Sequence, residues 1–159
     1  EIDSAVGDVG EIDSAGVEEQ PTVRFLSEGS SHSLKQTLAV NVVSASGLRK
    51  SDMLSDSDPY CVCKVVGKPS SFKTPVAPNT QNPIWNCQGN LDYDENDVLE
   101  ISIYDKDGTY DDPLGSVKLS NFPYHGSLVL TGHGAQPGAT ITVWAWVMRP
   151  TLKKRSFAR

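Results

Sequence analysis

The segment from Leu99 to Gly115 contains four carboxylates within eight consecutive residues, and they could bind a divalent cation. They are Asp105, Asp107, Asp111 and Asp112. Carboxylates on one short loop repel one another unless a positive charge lies between them. Calcium suits such an irregular set of oxygen ligands better than magnesium does. Asp and Gly are also common in turns for backbone reasons, so a solvated turn is the alternative interpretation.

The Asp105–Asp107 spacing resembles the start of an EF-hand loop, but the rest of the segment excludes one. Counted from Asp105, the position that needs Gly holds Tyr110, and the position that needs Glu holds Ser116. The preceding segment alternates apolar and polar residues as a strand does, whereas an EF-hand loop follows a helix. The acidic segment is therefore predicted to be a loop between strands.

Eight short β-rich runs, separated by turn residues, predict the elements that position this loop. The runs cover residues 36–45, 59–66, 71–76, 84–91, 99–105, 114–119, 127–130 and 140–148. In the last run, Ile141, Val143, Ala145 and Val147 share one face. No amphipathic helix is evident. The pattern predicts an all-β fold, an eight-stranded antiparallel β-sandwich.

A second acidic loop follows the first predicted strand. It contains Asp52, Asp56 and Asp58. Loops of a sandwich gather at its two ends, and if both acidic loops share an end, five carboxylates line one cup: Asp52, Asp58, Asp105, Asp107 and Asp112. Two calcium ions would bring about +4 against about −5, with carbonyls, water or lipid phosphate completing the coordination.

Three segments in this order resemble the C2 domain, the calcium- and phospholipid-binding β-sandwich of protein kinase C, synaptotagmin and cytosolic phospholipase. They are DMLSDSDPYCVCKV, KTPVAPNTQNPIWN and LEISIYDKDGTYDDPLG, and the resemblance covers about residues 36–148. The long final run favours the circularly permuted, phospholipase-like connectivity. The family is a binding module, so no enzymatic activity is expected.

Carried over position by position, the resemblance implies two calcium ions and a defined ligand set. The side-chain ligands would be Asp52, Asp58, Asp105, Asp107 and Asp112, and the backbone carbonyls would be those of Met53 and Lys106. The third segment is one residue shorter than in many members, so Asp111 could replace Asp112. The resemblance also implies docking on anionic phospholipid, with Met53, Leu54 and Tyr110 at the loop tips; ordinary exposed apolar residues are the alternative.

Charge divides the chain into unlike regions. Residues 1–20 hold an imperfect ten-residue repeat with seven acidic residues and no basic one, whereas the remaining 139 residues hold 13 acidic and 14 basic residues. We predict an acidic, disordered tail over residues 1–34, a C2 domain over 35–149 and a basic tail over 150–159. The acidic tail could bind a basic protein partner, and a structural or adaptor subunit is therefore the alternative function. The balanced charge of the body disfavours nucleic-acid binding.

The remaining candidate residues point to no catalytic chemistry. Cys61, Cys63 and Cys87 are odd in number and are interpreted as small buried residues in a reducing compartment. The three histidines lie in loop-like stretches without a plausible nucleophile beside them. Lys64, Lys68 and Lys73 could form a basic sheet face for phosphoinositides. We expect a cytoplasmic, peripheral membrane protein, or an organellar one if a targeting peptide has been removed from a chain that begins at Glu1.

Overall fold

The computed structural model describes residues 34–50 and 53–150, and all regular structure within them is strand. The eight strands are β1 (Gln36–Ser46), β2 (Pro59–Val65), β3 (Ser71–Lys73), β4 (Ile84–Tyr93), β5 (Leu99–Asp105), β6 (Asp112–Leu119), β7 (Tyr124–Val129) and β8 (Thr140–Met148). The predicted strand number and order are confirmed. Asp52 lies outside the described residues. The predicted tails, residues 1–34 and 150–159, also lie outside them except for Leu34 and Pro150.

The strands form two four-stranded antiparallel sheets. One sheet has the order β4-β1-β8-β7 and the other has the order β3-β2-β5-β6. The first and last strands are neighbours, with Val42 opposite Val143. The predicted fold class, an eight-stranded antiparallel β-sandwich with phospholipase-like connectivity, is confirmed.

The core lies between the inward faces of the two sheets. Alternate residues of β1, β2, β5 and β8 are buried there, among them the fully buried Leu38, Val40, Ile101, Ile141 and Val143. Period-2 alternation sends these side chains to one face, and burying each contributes about 1.5–3 kcal/mol. The face predicted for β8 is confirmed by the burial of Ile141, Val143 and Ala145.

Some boundaries and cysteine environments differ from the expectations. β3 ends at Lys73, before Pro75, because proline has no N–H to donate to a ladder. Cys61 and Cys63 are buried thiols as predicted, but Cys87 is only half-buried. No helix among the described residues is long and apolar enough to cross a membrane.

Four connections meet at one end of the sandwich, which we call the loop end. They are the β1–β2 loop (residues 47–58), the β3–β4 loop (74–83), the β5–β6 loop (106–111) and the β7–β8 loop (130–139). Backbone hydrogen bonds join three of them: Leu48 of the β1–β2 loop donates to the Gln81 carbonyl of the β3–β4 loop at 3.1 Å, and Lys106 of the β5–β6 loop donates to the Asp58 carbonyl of the β1–β2 loop at 3.0 Å. Both acidic loops therefore lie at the same end.

Candidate metal centre

Asp58 and Asp105 form the direct junction between the two acidic loops. The Asp58 amide donates to Asp105 Oδ1 at 2.6 Å, and the Lys106 amide donates to the Asp58 carbonyl at 3.0 Å. The ladder between β2 and β5 ends here, with Pro59 opposite Asp105. Asp105 is 3% exposed, so its carboxylate is held against the sandwich. These contacts bring together one predicted ligand from each acidic loop.

Asn79 of the β3–β4 loop also contacts this junction, although the sequence assigned it only to a segment that resembles the C2 domain and not to the site. Its amide donates to Asp58 Oδ1 at 2.5 Å, and its side-chain Oδ1 accepts from the Asp56 amide at 3.1 Å. Its φ of 52° lies in the left-handed region, which Asn adopts more readily than most residues. The sequence feature that could have pointed to this contact is the Asn-rich turn NTQNP, which begins at Asn79.

Asp111 braces the β5–β6 loop from within. Its carboxylate accepts from the Tyr60 hydroxyl at 2.6 Å, from the Asp107 amide at 3.0 Å and from Lys106 Nζ at 3.1 Å. The Tyr60 hydroxyl and the Asp107 amide, with Lys106, lower the pKa of Asp111. Burial and the bond to Asp111 raise the pKa of Tyr60 to about 12. Asp112, the next residue, is exposed and lies opposite Asp105 in the β5–β6 ladder.

The donor chemistry at the loop end fits a hard cation such as calcium. The candidate side chains are carboxylates, and calcium prefers oxygen ligands. Among residues 34–50 and 53–150, no three acidic, histidine or cysteine side chains converge as a metal-binding cluster. The structure thus joins Asp58 to Asp105 but does not draw Asp107 and Asp112 into a closed cluster with them. Asp56 forms an ion pair with Lys50 at 2.7 Å.

The loop end also carries large apolar side chains in solvent. Met53 and Leu54 of the β1–β2 loop are fully exposed, and Tyr110 of the β5–β6 loop is 83% exposed. Each of these residues belongs to one of the acidic loops. Apolar tips and carboxylates therefore occupy the same two loops.

The three lysines proposed as a basic sheet face each have a nearby partner. Lys64 pairs with Glu100 at 3.0 Å, and Lys73 lies over the Tyr60 ring with Nζ 5.7 Å from its centroid. Lys68 lies in the β2–β3 connection, at the opposite end from the acidic loops, and pairs with Asp94 and Asp97. Acidic neighbours thus offset the charge of Lys64 and Lys68.

A family model described as the C2 domain matches residues 36–131. The chain belongs to the C2 domain family. C2 domains are typically non-catalytic binding modules, and they commonly bind calcium and phospholipid. The match begins at the start of β1 and includes both acidic loops.

Relatives of this C2 domain include plant and human proteins. A C2 domain of plant extended synaptotagmin 1 superposes with a TM-score of 0.65 and 26% identity, covering 73% of this chain and 96% of that domain. Human cytosolic phospholipase A2 delta is 36% identical over 80 residues, which are 48% of this chain and 10% of that protein. A calcium-dependent lipid-binding protein of Arabidopsis thaliana is 33% identical over 85 residues, which are 52% of this chain and 16% of that protein. The chain therefore spans a small part of the two full-length relatives.

Proposed function

We propose that this C2 domain docks on anionic phospholipid membranes in a calcium-dependent manner through the β1–β2 and β5–β6 loops. The observation that carries the proposal is the junction between Asp58 and Asp105, which places the two acidic loops side by side. The exposed side chains of Met53, Leu54 and Tyr110 extend from the same loops. The match to a protein named for calcium-dependent lipid binding supports the same function.

The residues that would hold two calcium ions are those at the loop junction and in its two flanking loops. They are the carboxylates of Asp52, Asp58, Asp105, Asp107 and Asp112, with the carbonyls of Met53 and Lys106. The contacts of Asp111 favour Asp112 as the ligand, because Asp111 already braces its own loop through Tyr60, Lys106 and the Asp107 amide. Asp56 is likewise engaged by Lys50.

The proposed switch is electrostatic. The carboxylates of the two loops would hold two calcium ions, which would supply about +4 at the loop end and attract the phosphate or carboxylate oxygens of a lipid headgroup. Without these ions, the carboxylates of the two loops repel an anionic surface. With calcium bound, the exposed tips Met53, Leu54 and Tyr110 enter the headgroup layer, and the chain acts as a cytoplasmic, peripheral membrane module.

Co-sedimentation with vesicles tests this function. The wild-type chain should pellet with phosphatidylserine-containing vesicles in calcium and remain in the supernatant in chelator or with pure phosphatidylcholine. Asp107→Asn/Asp112→Asn should abolish the calcium-dependent pelleting. Asp107 is half-buried and Asp112 exposed, so this pair changes charge at little cost in folding.

A matched variant separates the site from bulk charge. Asp92→Asn/Glu95→Gln also removes two negative charges, but from exposed residues near the opposite end of the sandwich. It should pellet like the wild type. Equal pelleting in calcium and chelator would refute the calcium dependence. No pelleting in either condition would refute membrane docking and would favour the alternative of a structural or adaptor subunit that binds protein partners.

A further inference from the structure

Arg49 links three segments of the loop end. It lies at the start of the β1–β2 loop, where Nε donates to the Gly134 carbonyl at 3.1 Å and Nη2 donates to the Pro113 carbonyl at 3.0 Å. Gly134 belongs to the β7–β8 loop, and Pro113 follows Asp112 in β6. We propose that Arg49 is a positioning residue for the calcium ligands, an inference that rests on the proposed function.

The backbone of Arg49 closes the β1–β2 loop. Ser57 Oγ donates to the Arg49 carbonyl at 3.0 Å, so the two ends of the segment 50–56 are tied together. Asp52 lies inside this segment, and Asp58 follows Ser57 directly. The Arg49 carbonyl therefore joins the two ends of the β1–β2 loop, while the Arg49 guanidinium contacts β6, the strand that begins with Asp112.

Gly134 makes this arrangement possible. A Cβ at position 134 would lie 1.7 Å from the Pro113 carbonyl oxygen, and the φ of +79° also favours glycine. The close approach of the two backbones brings the Gly134 and Pro113 carbonyls within reach of one guanidinium. Two donors in the fixed plane of arginine satisfy both carbonyls, which the single ammonium of lysine cannot do in the same geometry.

The positive charge of Arg49 and its positioning role have opposite effects on calcium affinity. A positive side chain close to a calcium site repels the cation, so loss of the charge alone would tighten calcium binding. A positioning role predicts the opposite, because loss of the two hydrogen bonds releases Asp112 from the β1–β2 loop. The direction of the change in affinity therefore distinguishes the two roles.

Calcium titration of the full chain provides the first test. Arg49→Gln and Arg49→Lys should each weaken calcium binding, by about tenfold, as is typical when a residue that orients metal ligands is lost. Lys50→Gln removes a neighbouring positive charge that pairs with Asp56, and it should leave calcium affinity unchanged or tighter. An Arg49→Gln variant that binds calcium as tightly as the wild type, or more tightly, would overturn the proposal.

Amide hydrogen exchange in chelator tests the same residue without calcium. In Arg49→Lys, the amides of Asp58 and Lys106 should exchange faster than in the wild type, while those of β4 and β8 keep their protection. Uniform acceleration would indicate general destabilisation and would overturn the positioning role. Should Arg49→Gln fail to fold, Ser57→Ala, which removes the hydroxyl that donates to the Arg49 carbonyl, should show the same local pattern.

These readouts separate the two proposals. If the wild type binds no calcium, the proposed function fails, and local exchange in Arg49→Lys still decides whether the residue joins the loops. If the wild type binds calcium and the Arg49 variants bind it equally well, the positioning role fails alone.

Discussion

Asp111 and Asp112 are adjacent, yet their side chains have different surroundings. Asp111 is held by Tyr60, Lys106 and the Asp107 amide, whereas Asp112 is exposed at the start of β6. The Tyr60 hydroxyl links this brace to β2. A single hydroxyl therefore helps to fix the conformation of the loop that carries Asp107.

Tyr60→Phe should lower the free energy of unfolding at neutral pH, because a hydrogen bond is lost, and should reduce the further loss of stability at alkaline pH. The folded pKa of Tyr60 is about 12 against an ordinary 10.0, owing to burial and the bond to Asp111. As pH rises through this range, the unfolded chain loses the proton first, so the wild type loses stability between about pH 10 and about pH 12. Phe cannot lose that proton, so the variant should lack this contribution to the alkaline loss.

Urea unfolding at about pH 7, 9 and 11 measures this difference. Tyr110→Phe is the matched control, because Tyr110 is 83% exposed and its hydroxyl should not affect stability. The brace would be refuted if Tyr60→Phe and Tyr110→Phe had the same unfolding midpoint at neutral pH.

The sequence could predict the residue types of the site but not their individual contacts. Asp58 and Asp105 stand out because acidic residues cluster beside strand-like runs. The choice between Asp111 and Asp112 depends on the Tyr60 hydroxyl, which is 51 residues away from Asp111 in sequence. Asn79 was not assigned to the site for the same reason, since its contact with Asp58 arises only when two loops meet in three dimensions.

Strands were predictable because alternation and turn chemistry are local. The errors lie where long-range pairing decides the boundary: β6 begins at Asp112, two residues earlier than predicted, because Asp112 pairs with Asp105. β7 begins at Tyr124 through its pairing with β8, although its first residues show little alternation in sequence. In both cases the partner strand, rather than local composition, sets the first residue.

Gly89→Ala should destabilise the contact between the two sheets. A Cβ at this position of β4 would lie 2.3 Å from ring atoms of Phe72 on β3. The ring must shift, at a cost of about 1–3 kcal/mol in the free energy of unfolding. Gly108→Ala makes the same chemical change where no atom lies within 4 Å, and it should alter stability by less than about 0.5 kcal/mol.

Urea unfolding in chelator compares these two variants. Chelator keeps calcium binding out of the measurement, because Gly108 lies in the β5–β6 loop. Equal stability of Gly89→Ala and the wild type would contradict the packing of Phe72 against β4.

Across the whole described domain, the apolar core and the candidate metal site occupy different parts of the sandwich. The inward faces of both sheets are apolar, and the loop end joins two residues that lie 47 positions apart in sequence, through a hydrogen bond from the Asp58 amide to the Asp105 carboxylate. That convergence was predictable from the antiparallel topology. The individual contacts of the carboxylates were not, because they depend on partners that are distant in sequence, such as Tyr60 for Asp111.

Calorimetric titration of calcium into the full chain tests the central claim most directly. The wild type should show saturable binding of two ions, and Asp107→Asn/Asp112→Asn should lose it, whereas Asp92→Asn/Glu95→Gln should bind as the wild type does. An absence of saturable binding by the wild type, or equal binding by the Asp107→Asn/Asp112→Asn variant, would contradict the assignment of calcium to these two loops.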